Sequence, residues 1–260
     1  NLGRDAQDWK VSLAQKDLLD SGPSRDYIVP VLYRPFDYRF TYYTGRSRGF
    51  HCRPRSEVMQ HMLKGDNIAL MTCRQLSGLP WAHAMVSDKI TDDCMVSNRS
   101  RERGYLFPLF IYPTTSQIDV FSRDEPVEKR PNLNSNIIEI LSSAYNNEPK
   151  PEDVFFYVYA VLYSISYRTK YAEFLYMDFP RIPFPNDLEL FVLMASLGER
   201  LASLHLLRSP ELDPPEARFE GQGDGSVANS KREGFYYDSE AQRVHINKTQ
   251  YFAPVPPDVW

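Results

Sequence analysis

The sequence predicts an α+β fold: an Arg-rich, mainly β part, then a helical part, then a small C-terminal β hairpin. Three observations carry this reading. Over residues 27–113, runs rich in Tyr, Phe and Val are broken by prolines, as in short half-buried strands. Over 132–208, apolar residues recur at helical spacing,. Near 234–247, two short strand-like runs flank a polar turn,. With 260 residues, 42% hydrophobic and 25% charged, the chain is long enough to bury a sizeable core, which excludes disorder as its main state.

The elements follow in order. Asp5 to Asp20 places Trp9, Leu13, Leu18 and Leu19 on one helical face and stops before Ser21-Gly22-Pro23; residues 1–26 read as a leading helix and linker from an upstream domain. Tyr27 to Tyr43 reads as extended segments interrupted by Pro30 and Pro35, closed by a turn at Thr44-Gly45. Ser56 is placed to cap a short helix ending at Gly65,. Three strand-like runs follow, Asn67 to Cys73, Trp81 to Ser87 and Tyr105 to Tyr112. Residues 114–131, polar and punctuated by proline, read as a link,. Helices are expected over Asn134 to Tyr145, Pro151 to Ser166 and Tyr167 to Met177; Pro151 needs no donor in a first turn, and Glu152 and Asp153 suit its dipole,. Asn186 with Glu189 has the spacing of a reciprocal cap for a long helix reaching Leu206-Leu207,. Residues 209–233, rich in Gly, Pro and acids, read as a mobile loop, and 234–260 as a β return at the truncated end of the domain,.

The net charge of −4 conceals an asymmetry. Residues 34–103 carry 12 basic against 7 acidic side chains, and ten of the twelve are Arg; residues 104–260 carry 14 against 22. The guanidinium fork pairs with phosphates and with the guanine edge, while Gln and Asn pair with the adenine edge. Arg46, Arg48, Arg53, Arg55, Arg74, Gln75, Lys89, Asn98, Arg99 and Arg101, with Arg103 beside them, therefore form a candidate DNA-binding set. Arg74 and Gln75, directly after a strand-like run, are expected to include at least one base reader; Arg46, Arg48, Arg53 and Arg55 are expected to act mainly on phosphates. Arg34 and Arg39, flanking Asp37, suit an internal ion pair better.

Catalytic signatures are missing. The sequence has no Gly-x-Gly-x-x-Gly turn, no phosphate loop and no Gly-x-Ser-x-Gly elbow,. Asp213-Pro214-Pro215 approaches the tetrad of amino-methyltransferases, but Glu216 replaces the stacking aromatic. Cys52, Cys73 and Cys94, with His51, His61 and His83, have no diagnostic metal spacing,, so no metal is expected. Glu148-Pro149-Lys150 has the letters of a nuclease acid-x-Lys pair, and a Mg²⁺-dependent nuclease fragment stays open as a rival, as does a protein-docking domain. The aromatic residues of Phe155 to Tyr176 and His205 read as core. No run of ~18 apolar residues occurs, so no membrane partner is expected, and without a secretory signal the expected location is the cytoplasm. The absence of an initial Met predicts a piece of a longer polypeptide.

Several blocks carry a resemblance. Arg34-Pro-Phe-Asp-x-Arg39, Tyr42-Tyr43-Thr44-Gly45, Arg53-Pro54-Arg55, Asn67 with Arg74-Gln75, and Phe107-Pro-Leu-Phe-Ile-Tyr112 occur in that order. They are followed by Tyr167-Arg168-x-x-Tyr171-x-x-Phe174-Leu175, Asp178-Phe-Pro-Arg-Ile-Pro-Phe184, and Leu197-Gly198 through Leu204-His205-Leu206-Leu207. In these blocks, over roughly 27–260, the chain resembles the C-terminal specificity domain of type ISP restriction–modification enzymes. The resemblance implies a module without catalysis of its own that reads duplex DNA and positions the target adenine for an adjoining methyltransferase. It also implies that S-adenosylmethionine, ATP and Mg²⁺ belong to methyltransferase, helicase and nuclease domains elsewhere in the polypeptide. The resemblance further implies that the domain usually continues past the position of Trp260 into a Gly-Gly-Tyr and Lys-Trp-Leu segment.

Overall fold

A computed structural model describes residues 4–6, 8–78, 80–99, 102–113 and 128–260. Most of the expected link, 114–127, and the candidate Arg101 lie outside the described residues. The chain divides into two units, Asn1–Leu207 and Arg208–Trp260, so the Arg-rich β part and the helical part share one unit.

The first unit begins with α1 (Val11–Ser21), whose Val11 N–H is accepted by Asp5 Oδ1. The antiparallel hairpin β1 (Ile28–Arg34) and β2 (Asp37–Tyr42) follows, and α2 (Ser56–Leu63) leads to β3 (Ala69–Cys73), β4 (Ala84–Ser87) and β5 (Ile90–Thr91). β6 (Gly104–Pro108) and β7 (Phe110–Ile111) complete the run, and β7 pairs with β8 (Arg130–Pro131). One sheet has the order β2-β1-β5, another β4-β3-β6. Pro30 is accommodated inside β1 because β5 pairs only with Val31 and Leu32, so no proline donor is needed on that side,.

Alternation along β3 produces three layers. Ala69 and Met71 face the first sheet, packing with Leu32, Met85 and Met95 and with Tyr43, Met62 and Ile90. Leu70 and Val86 face the other way, onto α4 (Pro151–Tyr163) and α7 (Leu188–His205) through Phe155, Tyr159 and Ala202. Gly198 permits the close approach of these two helices, since a Cβ there would lie 1.9 Å from the Phe156 carbonyl oxygen.

The aromatic helices are mainly core. Tyr157 stacks between Phe184 and Phe191, each centroid 5.1 Å away. The hydroxyls of Tyr145, Tyr157 and Tyr167 donate to the carbonyls of Pro185, Pro183 and Arg181, so the proline-rich block is held by side chains rather than a strand ladder. His205 Nδ1 lies 2.6 Å from the Tyr159 hydroxyl, and burial lowers its pKa. Phe174 and Tyr176 are the exceptions and stay exposed.

Several boundaries differ from expectation. α2 begins at Ser56 itself, with Arg55 in the cap position in a left-handed conformation and no side-chain cap. The long helix is capped by Asp187, which accepts from the Glu189 N–H, so Asn186 and Glu189 form no reciprocal cap. The helix expected over Tyr167–Met177 is two, α5 (Ile165–Lys170) and α6 (Ala172–Met177), because Ser164 caps a new start and Tyr171 leaves helical geometry. α3 (Ser135–Tyr145) starts at its Asn134 cap.

The second unit holds an antiparallel sheet ordered β10-β11-β12-β9, from β9 (Arg218–Glu220), β10 (Tyr236–Asp238), β11 (Arg243–His245) and β12 (Tyr251–Ala253). The expected hairpin is its β10–β11 half. The segment read as a mobile loop supplies β9, whose Phe219 lies opposite Phe252. That pairing across 33 positions has no local sequence signal.

Candidate nucleic-acid interface

The residues 44–55 that carry Arg46, Arg48, Arg53 and Arg55 are fastened to the leading helix. Asp17, 4% exposed, accepts the Thr44 hydroxyl at 2.8 Å and the Phe50 N–H at 2.9 Å. Gly49 is required there, because a Cβ would lie 2.3 Å from Asp17 Oδ2. The Trp9 indole donates to the Phe50 carbonyl at 3.0 Å. Arg46 reaches Asp17 and Asp20 at 3.7 and 3.9 Å, and Arg53 pairs with Asp8 at 2.8 Å. Arg55 stands 4.0 Å from Glu57. Arg48 is exposed with no side-chain partner among the described residues. The segment taken for an upstream linker is therefore a support for the first group of candidate phosphate contacts.

The second group sits on residues 74–78 and on 97–99 with 102–103, joined by Glu102. Its side chain is 1% exposed. Oε1 accepts the Ser77 N–H at 2.8 Å and the Ser77 hydroxyl; Oε2 accepts the Ser97 hydroxyl and meets His83 Nε2 at 3.1 Å. Because the Ala82 N–H donates to His83 Nδ1, the ring proton is on Nε2 and points at the carboxylate. Burial pushes the Glu102 pKa up, but the Ser77 and Ser97 bonds and the neighbouring His83 outweigh it and bring it down to about 2,. Arg99 lies 3.6 Å from Glu102. A Cβ on Gly78 would approach Arg99 Nη1 to 3.1 Å, so the two loops touch.

Of the predicted residues here, Arg74 pairs with Asp178 at 3.0 Å and remains more than half exposed. Gln75 and Asn98 are exposed, without side-chain partners among the described residues. Lys89 is turned onto Asp88 at 2.9 Å, and Arg103 is paired with Asp93. Arg39 holds Asp37 by two nitrogens, whereas Arg34 pairs with Asp92 at 2.7 Å; both guanidiniums lie over the Tyr33 ring. Glu148 and Lys150 fall in the connection between α3 and α4. Asp92, Asp93 and Cys94 are the trio among the described residues close enough to share a metal, yet both carboxylates are already held by arginines. Burial pushes the Cys73 thiol up to about 12, which makes it a poor nucleophile or ligand.

Asp17 and Glu102 escape sequence reasoning. One looks like a polar position on an amphipathic helix, and the other stands between Arg101 and Arg103, where an acid reads as part of a solvated charge run.

The model of the family described as the Type ISP C-terminal specificity domain matches residues 1–260. The chain belongs to that family. No curated protein sequence matches it. The fold of this specificity domain is similar to part of DrdV in a cryo-EM structure of a DrdV–DNA complex, with TM-score 0.63 and 22% identity, covering 90% of this chain and 22% of DrdV. It is similar to part of the Type ISP restriction–modification enzyme LlaGI, a nuclease-deletion mutant in complex with a DNA substrate mimic, with TM-score 0.59 and 21% identity over 90% of this chain and 18% of that one. It also resembles part of LlaBIII, an ATP-dependent Type ISP restriction–modification enzyme bound to DNA, with TM-score 0.64 and 16% identity over 96% and 16%. The chain thus spans about a fifth of the length of these structures, and the likeness is one of fold. Among the described residues no helix is long and apolar enough to cross a membrane.

Proposed function

We propose that this domain reads the sequence of duplex DNA within a Type ISP restriction–modification enzyme, positions the target adenine for an adjoining methyltransferase, and directs the ATP-dependent translocase and nuclease. The observation that carries the reading is the presentation of Arg, Gln and Asn side chains on fixed loops, in a chain that matches a specificity-domain model throughout. Although many of these cations are paired, Arg46, Arg53, Arg55, Arg74 and Arg99 each keep more than half of the side chain in solvent, and where the acid is exposed as well, as in Asp8 and Asp178, the pair is worth little and a phosphate displaces the acid readily. Arg46, Arg48, Arg53, Arg55 and Lys89 act on phosphates; Arg74, Gln75, Asn98 and Arg99, with Arg101 beyond the described residues, supply base readout. S-adenosylmethionine, ATP and Mg²⁺ belong to other domains of the polypeptide; the commitment of Asp92 and Asp93 to arginines supports this for the metal. The partners are double-stranded DNA and the upstream methyltransferase and helicase domains, and the enzyme works in the cytoplasm.

The test uses the full-length polypeptide. Mapping methylated bases in cells that make it supplies the cognate sequence, and binding to cognate and single-mismatch duplexes over a salt series follows. Arg74→Ala or Gln75→Ala is expected to cost ~1–3 kcal/mol on the cognate site and relax one position; Arg48→Ala weakens all sequences alike and reduces the salt slope by about one. Affinity independent of salt would sink the proposal, because neutralised phosphates must release counterions. The protein-docking reading would then lead, helped by Leu190, Leu193 and Leu197, exposed along one face of α7.

A further inference from the structure

We infer that Glu102 is a positioning residue for sequence readout: its carboxylate ties the loop carrying Arg74 and Gln75 to the loop carrying Asn98 and Arg99, so that both present their side chains in one register. The inference rests on the proposed function above and deepens it.

The geometry is specific to a carboxylate. Every group that meets Glu102 is a donor: the Ser77 N–H, the Ser77 and Ser97 hydroxyls, His83 Nε2–H and, at 3.6 Å, the Arg99 guanidinium. An ionised carboxylate accepts at both oxygens, whereas a Gln of the same shape turns an NH₂ toward one set of donors. The two oxygens also divide the work. Oε1 takes both Ser77 donors in the first loop, and Oε2 takes Ser97 in the second together with His83, which lies just before β4. The Glu102 backbone belongs to the same clasp, since its N–H donates to the Arg99 carbonyl and its carbonyl accepts the Cys73 thiol at the end of β3. A side chain 1% exposed touches no DNA. It acts only through the loops it holds, and the exposed tips that it leaves in solvent are Gln75, Asn98 and Arg99. Arg readout tolerates little misplacement, because two parallel hydrogen bonds to one base edge must form together.

The experiment compares Glu102→Gln, Ser97→Ala, Gln75→Ala and Arg99→Ala in the full-length enzyme, measuring the ratio of cognate to single-mismatch affinity at several salt concentrations, with thermal melting alongside. Loss of folded protein lowers binding to every duplex equally and leaves that ratio unchanged, so the ratio separates positioning from stability. Glu102→Gln is expected to reduce the ratio roughly tenfold with the salt slope unchanged. Ser97→Ala, which keeps the charge and removes one bond, should reduce it several-fold and remains informative if Glu102→Gln does not fold. Adding Gln75→Ala to Glu102→Gln should give less than the product of the single losses, because both act on one contact. If Gln75→Ala or Arg99→Ala lowers the ratio while Glu102→Gln and Ser97→Ala only lower the melting temperature, the inference is overturned and the proposed function stands. If the wild type discriminates but neither loop variant changes the ratio, the site assignment fails and the inference with it.

Discussion

The two groups of candidate DNA contacts are built on the same device with unequal completeness. Each depends on one buried carboxylate, Asp17 under residues 44–55 and Glu102 between residues 74–78 and 97–99. Glu102 has both oxygens occupied by hydrogen bonds from three segments. Asp17 places its bonds on one oxygen, and among the described residues its Oδ1 meets only Arg46, at 3.7 Å. The difference matches the work proposed for each. Phosphate contacts tolerate displacement because the charge acts over several ångströms, whereas base-edge contacts require fixed donors and acceptors.

Acid provides the sharpest way to break this comparison. The Glu102 pKa falls from an ordinary 4.5 to about 2 in the folded chain, so its contribution is fully present above about pH 4.5 and is lost as pH falls toward about 2. Integrated over that window, about 3 kcal/mol disappears. Urea unfolding at neutral and acid pH should show this loss in the wild type and a shallower one, by about one proton, in Glu102→Gln; identical pH dependence in the two would contradict the assignment. A smaller effect is expected at the other carboxylate. Asp17→Ala leaves the Phe50 N–H and the Thr44 hydroxyl without their acceptor, at about 1–3 kcal/mol, and loosens residues 44–50. Trypsin should then cut after Arg46 or Arg48 faster than in the wild type, and Gly49→Ala should do the same from the loop side. Unchanged cleavage would mean that the helix does not hold the loop. The smallest effect concerns Asp8 and Arg53, whose side chains are 70% and 73% exposed. Asp8→Ala should change stability by less than about 1 kcal/mol while raising affinity for any duplex at low salt, since Arg53 is released. A melting temperature several degrees lower would show the pair to be structural.

Much of the candidate site was legible because charge composition survives folding. Ten arginines in one 70-residue stretch, with Gln75 and Asn98 among them, mark a candidate polyanion-facing region without coordinates,. What was not legible was the support beneath them. Glu102 bonds partners 19 and 25 positions away, and Asp17 partners 27 and 33 away, separations at which a single sequence carries no pairing signal. Arg34 makes the same point: its nearest acid in sequence is Asp37, but the fold gives it Asp92.

The sequence by itself determined the α+β class, the order of β-rich and helical parts, the aromatic core of α4 and the location of the cations, because each depends on local periodicity or composition. Tertiary structure alone decided that the leading helix supports a basic loop, that 218–220 joins the second unit's sheet, and which acids are buried beneath which arginines. Those features depend on hydrogen bonds between distant segments. Burial strengthens such bonds only after the chain has closed around them.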